Sequence, residues 1–347
     1  MSSVREIAIT GIGVEVPGLR EIGALLGPQP IAGPATFDPA QKLGKKGLLY
    51  KDTATKLAMC AVQDALTGAG LPVRDLHALA ATGVVASSNL GNLDTVCRMI
   101  DTLYAGSTGD LSPMDAPNAS SNVIASTIAI RFGCRAVNVM VCSGATSGLD
   151  AVFVAANALK TRRADRMIVV GVEPRNDVID QLASASMPAG ADRLRVGEGA
   201  ACVILETLAS ARERRATIYG VIDGYLYFQV GQVGRVGRVG QVGRVGQVDR
   251  PDFWLTPNQA WPPVRALVGS LRQQWESDPP ACDLSSGLGE LYGALGVFQC
   301  VAACCWLDAQ RVDGEIAHPL TALATAGGSW GDAAAGLTIS GWAGWVR

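Results

Sequence analysis

The sequence predicts an α/β protein of layered sheets built from two similar halves. Three observations carry that prediction. Short β-branched apolar runs alternate with longer segments of helical apolar spacing. One of those runs, RMIVVGVEP (166–174), is apolar almost throughout, as a strand covered on both faces must be. The alternation then begins again, more loosely, after residue 206.

Taken in order, EIAITGIGV (6–14) is β-branched and ends in Pro17-Gly18, a buried strand and its turn. LLYKDTATKLAMCAVQDALTGAGL (48–71) has helical spacing and stops at Gly68 and Gly70. ALAATGVVASS (78–88) is a second strand, and NVIASTIAIRFGC (122–134) a helix closed by Gly133. AVNVMV (136–141) is a third strand, which runs into VCSGATSGLDAV (141–152) and a helix ending in LKTRRAD (159–165). AACVILET (200–207) and ATIYGVIDGYLYF (216–228) are further strands, GALGVFQCVAACCWLDAQ (293–310) is a buried helix, and GLTISGWAGWV (336–346) closes the chain as strand. The halves are expected at 1–206 and 207–347. Between residues 230 and 248 runs VGQVGRVGRVGQVGRVGQV, whose glycine every third position fits neither sheet nor helix and reads as a surface insertion.

With 347 residues and 48% apolar content, the chain can bury a large core. A formal charge of −2 and only short basic clusters, Lys42/Lys45/Lys46 and Lys160/Arg162/Arg163/Arg166, argue against nucleic acid as a partner. The start, MSSVREIAITGIGVEVPG, places Arg5 and Glu6 where a signal peptide needs apolar residues, and no apolar run approaches a membrane span. The expectation is a cytoplasmic protein without membrane contact. Nine cysteines lie scattered without a CxxC, and His77 and His318 are the two histidines, so neither a zinc site nor a disulfide framework is expected.

The stretch at 139–152 carries the chemistry. A buried strand, a small-residue elbow and a helix present a side chain at a helix N-terminus, where a thiolate is stabilised. REIAITGIGVEVPG, APNASSNVIASTIAIRFG (116–133), GEGAACVILETLASARERRATIYGVIDGY (197–225) and GALGVFQCVAA (293–303) together resemble, in order and spacing, the β-ketoacyl synthases of fatty-acid and polyketide assembly, members of the thiolase fold. The resemblance implies two βαβ-type halves stacked in α-β-α-β-α layers.

In that family the elbow reads Cys, two small residues, Gly, two residues, Ala. Gly148 and Ala151 fit the last two fixed points and put Ala145 at the nucleophile, with Asp165 and Glu173 at the expected distances downstream. An alternative register would use Cys142, but needs three extra residues before MIVVG. SSGLGELYGALG (285–296) resembles the block that carries one catalytic histidine, and Glu290 stands at the histidine; residues 249–284 offer no counterpart of the segment carrying the other. A condensing enzyme needs the thioester on Cys and both histidines to decarboxylate and stabilise the enolate.

Joint loss of all three resembles the chain-length factors of type II polyketide and polyene synthases, and SGLDAV (147–152) is similar to the sequence after their elbow, although Ala145 differs from the Gln common there. The resemblance implies a subunit with no cofactor of its own. It would pair with an active ketosynthase, which receives its substrate on the phosphopantetheine of an acyl carrier protein. Asn118, Asn122, Met140 and Thr146 become candidate tunnel or interface residues, and the small residues Ser143, Gly144, Ala145 and Ser147 would leave room for a chain to pass. Two other readings remain: an autonomous acyltransferase with Cys142, Ser143 or Thr146 as nucleophile and Glu290 or Asp150 as base, and a purely structural partner of a ketosynthase.

Overall fold

A computed structural model of the protein describes residues 5–27, 37–73, 75–186, 195–229, 248–259, 262–311, 319–328 and 333–342. His318 and nearly all of the Val-Gly repeat lie outside them. The strands are β1 (Ile7–Glu15), β2 (Thr82–Ser87), β3 (Asn138–Val141), β4 (Arg166–Glu173), β5 (Gly199–Thr207), β6 (Gly220–Gln229), β7 (Phe253–Thr256), β8 (Ala281–Asp283), β9 (Thr321–Gly327) and β10 (Ala333–Ser340). The helices are α1 (Pro39–Leu43), α2 (Thr53–Gly68), α3 (Leu93–Ala105), α4 (Val123–Phe132), α5 (Ser147–Lys160), α6 (Asp177–Ser186), α7 (Leu208–Glu213), α8 (Pro262–Arg272), α9 (Ser285–Leu288) and α10 (Leu295–Ala309).

The strands hydrogen-bond in the order β3-β2-β4-β5-β1-β6-β10-β9-β7-β8. Read inward from each edge, the order is the same pattern twice. β2 lies parallel to β3 and β4, β4 antiparallel to β5, and β5 antiparallel to β1; β7, β8, β9, β10 and β6 repeat those senses. The two fives are joined where Ile7–Ile9 pair with Gly220–Ile222. α2 and α4 cover the outer face of the first five, where β4 and β5 are buried nearly throughout. α8 packs on the second through Val264, Val268 and Leu271 against Trp254 and Leu323. α5 and α10 fill the layer between.

Local chemistry sets the boundaries. α2 begins five residues later than the apolar spacing suggests because Asp52 caps it, accepting from the Thr55 N–H at 2.6 Å. α4 ends at Gly133, which is left-handed with φ 73°. Tyr292–Ala309 is, contrary to the sequence expectation, long and apolar enough to cross a membrane by length and composition, but 72% of that stretch is buried inside the protein; it is the core helix α10 with its leading turn.

α5 and α10 touch backbone to backbone. A Cβ on Gly148 would lie 2.9 Å from the Gly296 Cα, and one on Gly296 2.5 Å from the Leu149 N. No side chain larger than hydrogen fits either position, and this contact sets how closely the ends of the two helices approach.

On the far side of β5, Glu206 is fully buried and takes a two-pronged bond from Arg214, with Nη2 to Oε1 at 2.5 Å and Nε to Oε2 at 3.1 Å, and a bond from the Thr10 hydroxyl at 2.6 Å. Burial alone would raise its pKa. Arg214, Thr10 and the Arg166 charge outweigh burial and hold the carboxyl below the ordinary carboxylate range.

Candidate functional site

β3 delivers the chain to the elbow beside the end of β2. After Val141 it turns through Cys142 and Ser143, enters a tight turn at Gly144–Thr146 with Gly144 at φ 77°, and starts α5 at Ser147. Asn89, two residues past β2, holds that turn from both sides. Its Oδ1 accepts the Gly144 N–H at 3.0 Å and its Nδ2 donates to the Gly144 carbonyl at 3.0 Å. A single amide can do both because it carries donor and acceptor on one plane. The Ser147 hydroxyl completes the turn, donating to the Gly144 carbonyl at 2.7 Å and accepting the Ser143 N–H at 2.7 Å.

Glu173 ends β4 beneath this loop. It accepts the Asn89 N–H at 2.8 Å, the Leu90 N–H at 3.0 Å and the Ser88 hydroxyl at 3.0 Å. Burial nevertheless dominates and pushes its carboxyl up to about 7. Glu173 therefore fixes the loop that fixes the elbow.

The second half brings its own strand ends to the same place. Asn258 lies two residues past β7, as Asn89 lies two residues past β2, and its Nδ2 donates to Glu290 at 2.9 Å. Glu290 also accepts the Tyr292 N–H at 2.8 Å, and its own backbone is pinned by Glu290 N–H to Arg195 O at 2.7 Å and Gly197 N–H to Glu290 O at 2.9 Å. Burial raises the Glu290 pKa. Tyr292 has φ 41°, a left-handed conformation that costs a bulky residue about 1–3 kcal/mol and persists only where surroundings impose it. Sequence reasoning assigned Glu290 but found neither Asn258 nor Tyr292. The regular spacing of Asn89 and Asn258 after equivalent strands was the available signal, and it needs the strand order to be seen.

Of the residues singled out from sequence, Ala145 stands in the turn immediately before α5, half-buried. Cys142 lies three residues earlier at the end of β3, exposed, its thiol donating to the Ser88 carbonyl at 3.1 Å. Burial and then the Glu173 charge push that thiol upward, away from the thiolate a nucleophile needs. The Ser143 hydroxyl bonds to the Asp150 carboxylate, which also takes the Thr146 hydroxyl at 2.8 Å and the Tyr225 hydroxyl of β6. Thr146 is buried. Asn118 is buried too, donating to the Tyr50 carbonyl at 2.6 Å. Asn122 is exposed at the start of α4 and accepts from the Ser120 hydroxyl at 2.6 Å. Met140 is half-buried on β3 and packs toward the layer of α2 and α4. Asp165 and His77 are exposed on loops, away from the elbow.

Of the small residues expected to leave room for a passing chain, Ser143 is exposed, Gly144 and Ala145 are half-buried and Ser147 is packed. Ser147 is buried under Asn89, and Gly148 lies against Gly296. A Cβ on Gly328, just past β9, would fall 2.7 Å from the Ala145 Cβ. Ala145 and Gly148 make close contacts with the second half.

The turn that leads into the 14-residue helix α5 thus carries a methyl group at residue 145. Among the described residues no three metal-ligating side chains converge.

Residues 30–211 match the family model for the β-ketoacyl synthase N-terminal domain. The chain is 28% identical over 260 residues to 3-oxoacyl-[acyl-carrier-protein] synthase 2 of Coxiella burnetii, covering 64% of this chain and 62% of that protein. Among solved structures, the ishigamide ketosynthase/chain length factor superposes with a TM-score of 0.78 at 16% identity, covering 98% of this chain and 100% of that one. A type II polyketide synthase acyl-carrier protein in complex with its ketosynthase gives 0.76 at 16% identity, with 98% and 100% covered. The chain belongs to the β-ketoacyl synthase family and has its α/β thiolase-like fold. It spans about three-fifths of the length of the Coxiella relative.

Proposed function

We propose that this chain is a catalytically degenerate ketosynthase subunit of the chain-length-factor kind. It pairs with an active ketosynthase in the cytoplasm and shapes the space into which that partner's acyl chain grows. The partner, rather than this chain, takes acyl groups from the phosphopantetheine of an acyl carrier protein. The halves divide at 206/207, and residues 230–248 are an insertion in the second.

The observation that carries the reading is Ala145 at the tip of the elbow. A methyl group forms no thioester, and Glu290 and Asn258, bonded to each other, offer no imidazole to the decarboxylation that a condensing enzyme requires. The ketosynthase/chain length factor and the acyl-carrier-protein complex among the structural relatives support a partner of that kind. The open edge of β3 supports it as well. Among the described residues β3 pairs with β2 alone, so its outer backbone groups are free for another strand.

Apolar side chains elsewhere in the first half support a partner too. On α3, Leu93, Val96, Cys97, Ile100, Leu103 and Tyr104 recur at helical spacing, yet Thr95 is its one fully buried residue. The packed elbow moves the length-setting surface outward, to Met140 and Asn122 beside that edge.

Co-expression with an active ketosynthase subunit of a type II polyketide synthase, size-exclusion chromatography and mass analysis of the products test the reading. A 1:1 complex is expected, with shorter products from Met140→Trp. Unchanged products from an intact complex would leave only a structural partner. A homodimer that is itself acylated would sink the proposal.

A further inference from the structure

The geometry points to Tyr292 as a plug: its ring occupies the approach to the elbow tip, so that position 145 is closed to a pantetheine-borne thioester whatever side chain it carries. This goes beyond pairing with a ketosynthase, and it concerns the chain alone.

Three distances place the ring. A Cβ on Gly328 would lie 2.7 Å from the Ala145 Cβ and 3.8 Å from the Tyr292 Cε2, so methyl and ring edge flank one point. A Cβ on Gly144 would lie 3.6 Å from the Tyr292 hydroxyl oxygen. The phenol therefore lies near both Gly328 and Gly144, and Ala145 follows Gly144 in the chain and approaches Gly328. Ala145 and Tyr292 are both half-buried, so each keeps some surface accessible to solvent.

The conformer is held from behind. Glu290 accepts the Tyr292 N–H, Asn258 donates to Glu290, and Arg195 and Gly197 bond the Glu290 backbone. The left-handed backbone at Tyr292 is the strain that these bonds maintain. Glu290 and Asn258 thereby act as positioning residues for the plug instead of as an acid–base pair.

Acyl transfer to residue 145 would need a thiolate to attack the thioester carbonyl, a new S–C bond to form as the old one breaks, and the pantetheine thiol to leave with a proton. The carbonyl carbon must then sit two bonds beyond the Cβ of residue 145, with space for its oxygen. The ring edge, 3.8 Å from the point at which a Gly328 Cβ would also meet the Ala145 Cβ, borders that volume.

The test compares Ala145→Cys with Ala145→Cys/Tyr292→Gly, and with Tyr292→Asn in place of Gly. Gly and Asn both tolerate φ 41°, so these changes relieve the backbone and leave the fold intact, which an unfolding midpoint verifies. Each protein is treated with iodoacetamide and, separately, with a chloroacetamide carried on a pantetheine arm. Peptide fragmentation separates label at 145 from label at Cys142. We expect the pantetheine probe to label position 145 roughly tenfold or more faster once Tyr292 is gone, since misplacement of reacting groups by about 1 Å already costs ~100-fold. Iodoacetamide, small enough to pass the ring, should label both proteins at comparable rates.

Equal rates with the pantetheine probe overturn the proposal, as does no labelling in either protein. An equal gain with both probes also overturns it, because that reports thiol reactivity instead of access. None of these outcomes bears on whether the chain binds a ketosynthase.

Discussion

Gly296→Ala is a mutation whose sign separates two effects that usually travel together. In an exposed helix, Gly to Ala stabilises by about 1 kcal/mol through backbone entropy. At Gly296 the new methyl would stand 2.5 Å from the Leu149 N, 2.8 Å from the Leu149 Cγ and 3.0 Å from the Gly148 carbonyl carbon. Two of these three are backbone atoms of α5, so no rotamer change gives relief and the helices must part. Overpacking of this kind costs about 1–3 kcal/mol, and the backbone contacts place it near the upper value. Set against the propensity gain, the net loss is about 2 kcal/mol.

Gly269→Ala in α8 is the matched control, because a Cβ there meets nothing within 4 Å and should stabilise. Guanidinium unfolding of the three proteins, with equal slopes required, measures both. A Gly296→Ala protein as stable as wild type would refute the close helix crossing as the element that fixes the elbow.

Two pH-linked predictions follow from the buried carboxylates. Glu206→Gln leaves Arg214 and Arg166 without their counter-charge, and breaking a buried pair costs about 3–5 kcal/mol. The loss should lie at the low end of that range, because 24% of the Arg214 side chain remains in water. As the folded pKa of Glu206 is lowered, its stabilisation is present above the ordinary carboxylate range and disappears as pH falls through the folded value; wild type and variant should converge in acid.

Glu173 has the opposite sign. With its folded pKa pushed up to about 7, its contribution is complete below the ordinary carboxylate pKa of about 4.3 and is lost as pH rises through 7. The unfolding midpoint should fall across pH 5 to about 8 in wild type and fall less in Glu173→Gln. Asp223, raised to about 6, titrates in the same sense in both proteins, so the difference isolates Glu173. Parallel curves would contradict the assignment.

The first half of the fold was legible because its strands are long, β-branched and buried on both faces, as in β4, and because its helices end in glycine. In the second half β7 has four residues and β8 three, too short for a periodic signal, and both were missed along with α8 and β9. α3 escaped notice as well. The succession of strand, turn and helix at 138–160 could be read from the small residues set between two apolar runs. What surrounds it could not, since Asn89, Asn258, Tyr292 and Gly328 come from four segments that meet only when the sheet is assembled. Nor could the sequence show that Gly148, next to the small residues of the turn, lies against the backbone of Gly296.

The doubled strand order means that neither half owns the elbow. Residues 1–206 would carry Ala145 and Asn89, while the side chains closing over them, Tyr225, Asn258 and Tyr292, are supplied from beyond the division. A chain severed between α7 and β6 would therefore be a complementation system. Its reassembly could be followed by a fluorophore at the tip, dark or bright according to whether the missing portion has docked.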